Sequence, residues 1–198
     1  MISLALFNRI SVKYGNAGSW AVWAEPGEKV KSNIADMSVL DPYKNALLLS
    51  ILHTNSVMVG LNCSRKVSTD RPFTNFHDPS PRAQDYKIRH AFRETAYYGS
   101  YMTDLIKDFP MLSSKDVLAY LRENPSILAS SICRFKEELE FIGAKRPVIL
   151  IFGKDTYNLI AKNLGPGSYS SLHKITHYSH HISQEAYREQ TLSRLGVV

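Results

Sequence analysis

Cysteine is scarce in this chain. Of 198 residues only Cys63 and Cys133 are cysteine, too few for a disulfide framework or a four-cysteine cluster. No stretch reaches the ~18 consecutive apolar residues that a membrane-spanning helix needs. The apolar opening runs only from Ile2 to Phe7, without a basic segment before it or a small-residue cleavage site after it, so it does not read as an export signal. Few cysteines and no such signal make a cytoplasmic location the expectation. The chain also lacks a glycine-rich phosphate loop, an internal repeat and any low-complexity tract. Nothing in it asks for a cofactor. His180 and His181 are adjacent, so their rings diverge, and no metal site is expected. Acidic residues are the minority charge: 18 Asp and Glu against 24 Lys and Arg leave a formal net charge of +6. That balance suits a nucleic-acid partner without requiring one.

What is present is a core. Apolar residues make up 44% of the chain, an ordinary share for one globular domain. Residues 1–40 read as an N-terminal extension, in which Trp20 and Trp23 are packing residues, and residues 45–195 as the body; a monomer is expected. Asp41 and Pro42 open a predicted helix that sends Leu47, Leu48, Leu49, Ile51 and Leu52 to the core. Val57 to Val59 is a short β-prone run that stops at Gly60. A long polar stretch, 63–85, follows; its aromatics Phe73 and Phe76 argue for order, and its length argues for function. Residues 86–98 read as a helix and 101–106 as a second strand. Ser113 caps another helix, Pro125 opens a longer amphipathic one that Gly143 stops, and 147–153 is the clearest strand. A helix over 155–164, a strand over 172–177 and a helix over 184–195 complete the chain. Apolar strands alternating with helices predict an α/β fold with three layers: a four-stranded parallel sheet with helices on both faces.

In such sheets ligands bind beyond the carboxyl ends of the strands. Two polar clusters fall there: Asn62, Cys63, Ser64 and Arg65 after the first strand, and His177, Tyr178, Ser179 and His180 after the last. The run Val59-Gly60-Leu61-Asn62-Cys63-Ser64 resembles the first motif of the uracil-DNA glycosylase superfamily, in the Gly-x-Asn-Pro-Gly form of its mismatch-specific members. Thr176-His177-Tyr178-Ser179 resembles the second motif, His-Pro-Ser. Between them, 101–107 is similar to the family's middle strand, usually Thr-Asn-x-x-Lys, and 147–153 to its third. The resemblance covers roughly residues 45–195.

It implies a hydrolase that removes a flipped base from DNA, uracil or another deaminated or damaged base, without a cofactor. Asn62 would position the water and His177 would hydrogen-bond the base oxygen as charge develops there. Phe76 would stack on the base, with Gly60, Leu61 and Asp104 completing the base pocket. Ser64, Arg65, Ser179 and His180 would meet phosphates. The sequence departs from the family at Cys63, Ser64 and Tyr178, and at Asp104, where an amide is usual. An ionised carboxylate only accepts hydrogen bonds, so it pairs with an N–H edge and repels a carbonyl. Plainer readings stand beside these. Asn62 is also a good turn residue, His177 has local partners in Thr176 and Ser179, and Asp104 has basic neighbours. A glycosylase fold that binds nucleic acid or a nucleotide without cleavage is the alternative.

Overall fold

The apolar runs form the centre of one sheet in the computed structural model, which describes residues 1–63, 71–107, 109, 111 and 113–197. Its strands are β1 (Ser19–Trp20), β2 (His53–Asn62), β3 (Ser100–Ile106), β4 (Val148–Phe152) and β5 (Ser171–Ile175), in the spatial order β1-β3-β2-β4-β5. β2 to β5 are mutually parallel, as the alternation of strands with helices predicts. The expected four strands are joined by a fifth: β1 pairs antiparallel with β3 at the edge. Two residues are too short to display alternation, so the pattern over 19–25 leaves a short strand and a turn equally open. Burial decides for the strand, because Trp20 is fully enclosed with its ring 5.1 Å from that of Tyr101.

Side chains alternate across the sheet and sort the core into two. Val57, Val59, Tyr101, Leu105, Ile149 and Ile151 face one way. Against them pack α1 (Leu4–Tyr14), α4 (Ser114–Glu123), α5 (Pro125–Phe141) and α6 (Lys154–Asn163). Met58, Met102, Leu150 and Phe152 face α3 (Asp85–Phe92) and α7 (Gln184–Leu195) on the other side. Helices on both faces make this a three-layer α/β fold. The first forty residues join the same cores: Phe7 and Ile10 of α1 and Leu40 lie in the larger one, Trp23 and Ile34 in the smaller.

The local signals act as expected at several helix ends. The Ser113 hydroxyl accepts from the Asp116 amide. After α5, Gly143 adopts φ +74°, its amide donates to the Glu140 carbonyl, and the Ala144 amide reaches back to Leu139. Two expected helices are shorter than predicted. From Asp41 onward the chain makes turns, and only α2 (Leu48–Ile51) is helical. Asp41 and Asn45 cause this: their side chains accept from Tyr43 and Leu47 amides, a competing local geometry, and Leu47 stays 68% exposed instead of entering the core. α3 ends at Phe92 instead of near Tyr98, because the Thr95 hydroxyl donates to the Phe92 carbonyl and Glu94 turns to φ +59°. Among the described residues no helix is long and apolar enough to cross a membrane.

Candidate functional site

β2 is the switch point of this sheet: the chain moves from it to β3 on one side and to β4 on the other. Beyond the carboxyl ends of these strands lies a cleft of about 490 Å³. Its walls include Gly60 and Asn62 of β2, Asp104 of β3, the start of α6, and His177 to Ser179 after β5.

Asn62 is half-buried at the end of β2. Its Nδ2 donates to the carbonyls of Met111 at 2.9 Å and Phe109 at 3.1 Å, which ties down the loop after β3. Two carbonyl acceptors identify that atom as the nitrogen, so Oδ1 is oriented the other way. Oδ1 has no hydrogen-bond partner among the described residues, and Asn62 borders the cleft. It can therefore accept from a water or a ligand, while the amide nitrogen is already committed to structure.

His177 sits just past β5, held against the start of α6 because the Gly153 amide donates to the Ile175 carbonyl. Its Nδ1 accepts from the Ser179 amide at 3.2 Å and contacts the Ser179 hydroxyl at 2.8 Å. A backbone N–H can only donate, so Nδ1 is unprotonated and the neutral ring carries its proton on Nε2. Burial holds the group well below the ordinary imidazole range, at about 4. His177 is thus a neutral N–H donor across physiological pH. The Ser179 hydroxyl, expected on a phosphate, has its proton committed to His177. His180 is exposed and does not border the cleft; its carbonyl accepts from Lys87 Nζ at 2.7 Å, pinning the loop to α3.

Asp104 is 3% exposed, and burial pushes its carboxyl up to about 6, against the pull of the Asn75 hydrogen bond and the Lys107 charge. Asn75 Nδ2 donates to Oδ2 at 2.9 Å. Oδ1 leans over Gly60, where an added Cβ would collide with it. The glycine is what allows the carboxylate to lie on the cleft wall. Leu61 borders the same cleft, but its side chain belongs to the larger core, so it lends backbone only.

Phe76 does not stand on the cleft wall. It is 4% exposed with φ +64°, beneath Phe152 and Tyr178, and its ring supports the site from below. The aromatic ring that borders the cleft alongside His177 is Tyr178, stacked on it at 4.5 Å and edge-on to Phe152 at 5.2 Å. Burial, then the charges of Asp85 and Asp104, push its hydroxyl well above the ordinary phenol range. Ser64 and Arg65 lie outside the described residues.

The sequence reading missed the start of α6. Gly153 at φ +87° precedes it without a side-chain cap, leaving first-turn amides unpaired. Thr156 is 2% exposed yet borders the cleft, and its hydroxyl has no hydrogen-bond partner among the described residues; Lys154 and Asp155 stand beside it. The signal was Gly153-Lys154-x-Thr156 directly after a strand, which sets a hydroxyl and an ammonium beside the uncapped amides of a helix N-terminus. Among the described residues no group of three or more His, Cys, Asp or Glu is placed to hold a metal ion. No protein-family model matches the chain, and no curated protein matches its sequence. The chemistry of the cleft is therefore the ground for a functional reading.

Proposed function

We propose that the chain is an N-glycosidic hydrolase that removes a flipped base from DNA, as its resemblance to the uracil-DNA glycosylase superfamily implies. The observation that carries this is the pairing, in one cleft at the switch point, of an acceptor without a donor and a neutral donor: Asn62 Oδ1 and His177 Nε2–H. Breaking the bond between sugar and base builds positive charge on the sugar and negative charge on the leaving base. Asn62 Oδ1 accepts from the attacking water and aims its lone pair at the sugar carbon. His177 donates to a base oxygen, a bond that strengthens as charge arrives there. An amide is too weak a base to take a proton, so water adds to the sugar carbon while still protonated and releases its proton to solvent afterwards, the base leaves as an anion that solvent protonates, and turnover is slow. The start of α6, with Thr156 and Lys154, is suited to a phosphate beside the extruded nucleotide, and the net charge of +6 favours a polyanionic partner.

The test is a strand-cleavage assay: oligonucleotides carrying one altered base are incubated with protein, then treated with alkali to reveal abasic sites. Base release is expected. His177→Ala is expected to lower the rate by about 10²–10³-fold while changing binding much less. No release from any substrate overturns the hydrolase reading, and equal losses in binding and rate reassign His177 to structure.

A further inference from the structure

We propose that a second cavity, between α3 and the segment over 23–30, binds a small organic monoanion: a carboxylate received by Arg89, on a flat apolar body that lies against Trp23 and Tyr98. The cavity measures about 380 Å³ and shares no lining residue with the cleft at the strand ends.

The face of α3 that borders it carries Tyr86, Arg89 and His90 at helical spacing, with Arg93 at the cap. Arg89 is only 6% exposed. Its Nη1 donates to the carbonyls of Ala24 at 2.7 Å and Ser32 at 2.9 Å, and its Nη2 to that of Val30 at 2.7 Å. The guanidinium is therefore fixed before anything binds. Of its five N–H donors two are left, on Nε and on Nη2, without an acceptor among the described residues. Nε is not sealed inside the protein, and the cavity is what Arg89 borders. Donors on adjacent nitrogens of one guanidinium suit the two oxygens of a carboxylate.

The carboxylates already present serve the wrong arginine. Glu25 lies 3.0 Å and Glu94 3.6 Å from Arg93, whose side chain is half-exposed and could be served by water. Arg89, far deeper, has carbonyl oxygens but no ion-pair partner among the described residues. Burial, opposed by the charge of Glu25, pulls its guanidinium below the ordinary range. An enclosed cation is costly without a counter-charge, and a bound anion supplies one. The wall also limits that anion to a single charge. Two arginines face two glutamates, and burial holds His90 below the ordinary imidazole range, so it adds no charge. A phosphate dianion or a DNA backbone meets no net attraction here, and Glu25 and Glu94 repel a second negative charge. The remaining walls are aromatic. Trp23 is locked by its Nε1, which donates to the Phe76 carbonyl at 3.1 Å, and by stacking on His77 at 5.2 Å. Walls of this kind, with one placed polar group, favour a body of one or two rings.

2-Naphthoate, its neutral counterpart 2-naphthamide and inorganic phosphate are titrated separately into the full chain by calorimetry at pH 7. 2-Naphthoate is expected to bind once per chain and about tenfold or more tighter than the amide, the scale of one charge-assisted hydrogen-bonded pair. Phosphate is expected to show no saturable binding. Arg89→Met is expected to erase the difference between acid and amide. Because Arg89 also pins the segment over 24–32, Val30→Trp is the second variant: Val30 borders the cavity, is 50% exposed and gives Arg89 only its carbonyl. Filling the cavity from there is expected to weaken 2-naphthoate by roughly tenfold or more with no change in the denaturant midpoint. Absence of saturable 2-naphthoate binding, equal binding of acid and amide, undiminished binding to Val30→Trp, or phosphate binding as tight as that of 2-naphthoate overturns the proposal.

Discussion

Two buried carboxylates flank β3, and only one is at rest. Glu138 reaches from α5 to the face that carries Tyr101 and Thr103. It is fully enclosed, and its charge is compensated: Oε1 accepts from the Tyr101 hydroxyl at 2.9 Å and the Thr103 hydroxyl at 3.0 Å, and Oε2 lies 2.8 Å from the Lys107 ammonium as an ion pair outside hydrogen-bond geometry. Asp104 points to the opposite face and is almost as enclosed, yet only one of its oxygens is served. Glycines make room on both sides: Gly18 leaves space for the Tyr101 hydroxyl and Gly60 for Asp104 Oδ1. The difference separates a polar group that holds the fold from one that the fold holds ready. A satisfied network rigidifies, whereas a half-satisfied one persists only where something else completes it.

The sharpest way to break the comparison is to remove the satisfied member. Glu138→Ala leaves the Lys107 ammonium buried without its counter-charge and strips two hydroxyls of their acceptor. Loss of one partner from a buried ion pair costs about 3–5 kcal/mol, and the expected result is a lower denaturant midpoint with little change in slope. A loss below ~1 kcal/mol would mean that the network is dispensable and that Glu138 is no structural counterpart to Asp104.

The unsatisfied member predicts the opposite sign. Burial raises Asp104 from its ordinary 3.8 to about 6, so the folded state binds this proton more tightly than the unfolded state. Its contribution is therefore fully present below about 3.8 and is lost as pH rises to about 6. Asp104→Asn, which carries no charge to desolvate, is expected to be more stable than the native protein at pH 8, by roughly 2–3 kcal/mol, and to match it near pH 3. His177, lowered from 6.5 to about 4, acts with the reverse slope in an overlapping window. Only the difference between native and variant stability curves isolates Asp104. A difference that stays flat with pH would show that a donor already serves Oδ1.

The order of elements and the position of the cleft were legible in the sequence; the state of each polar group was not. β2 and β4 announce themselves as unbroken apolar runs, and the bounds of α7 follow from a serine cap and Gly196 at φ +67°. Gly60, Asn62, Asp104 and His177 were legible because each stands at a strand end, where the backbone alone decides that it borders the cleft. Phe76 was not, because its place depends on how the loop over residues 71–84 folds across the sheet, which no local period encodes. Thr156 was hidden by its neighbours: the apolar run before it reads as a strand and draws attention from the turn. Glu138 left a trace that went unread. It falls three residues after Phe135 and four before Ile142, on the apolar stripe of α5, where a charge implies a buried partner.

The smallest expected effect compares the two glycines. A methyl group at Gly18 meets the rim of the Tyr101 ring, which is wedged edge-on against Trp20 at 5.1 Å and bonded to Glu138, so neither the ring nor its hydroxyl can yield. Gly18→Ala is expected to cost about 1–3 kcal/mol, the usual range for overpacking a filled core. At Gly60 the methyl meets the end of a short side chain instead. Asp104 can turn away by rotation, giving up its bond from Asn75, and turning away also moves a costly carboxylate oxygen. The expected stability loss for Gly60→Ala is therefore smaller, about 1 kcal/mol or less. The effect on the cleft differs in kind: its buried acceptor leaves the wall, so the pH dependence of stability that Asp104 contributes should shrink while the midpoint hardly moves. Side-by-side denaturation of the two variants at several pH values checks this. If Gly60→Ala costs as much stability as Gly18→Ala and leaves the pH dependence of stability intact, Asp104 is a second structural carboxylate, and the distinction between the two faces of β3 fails.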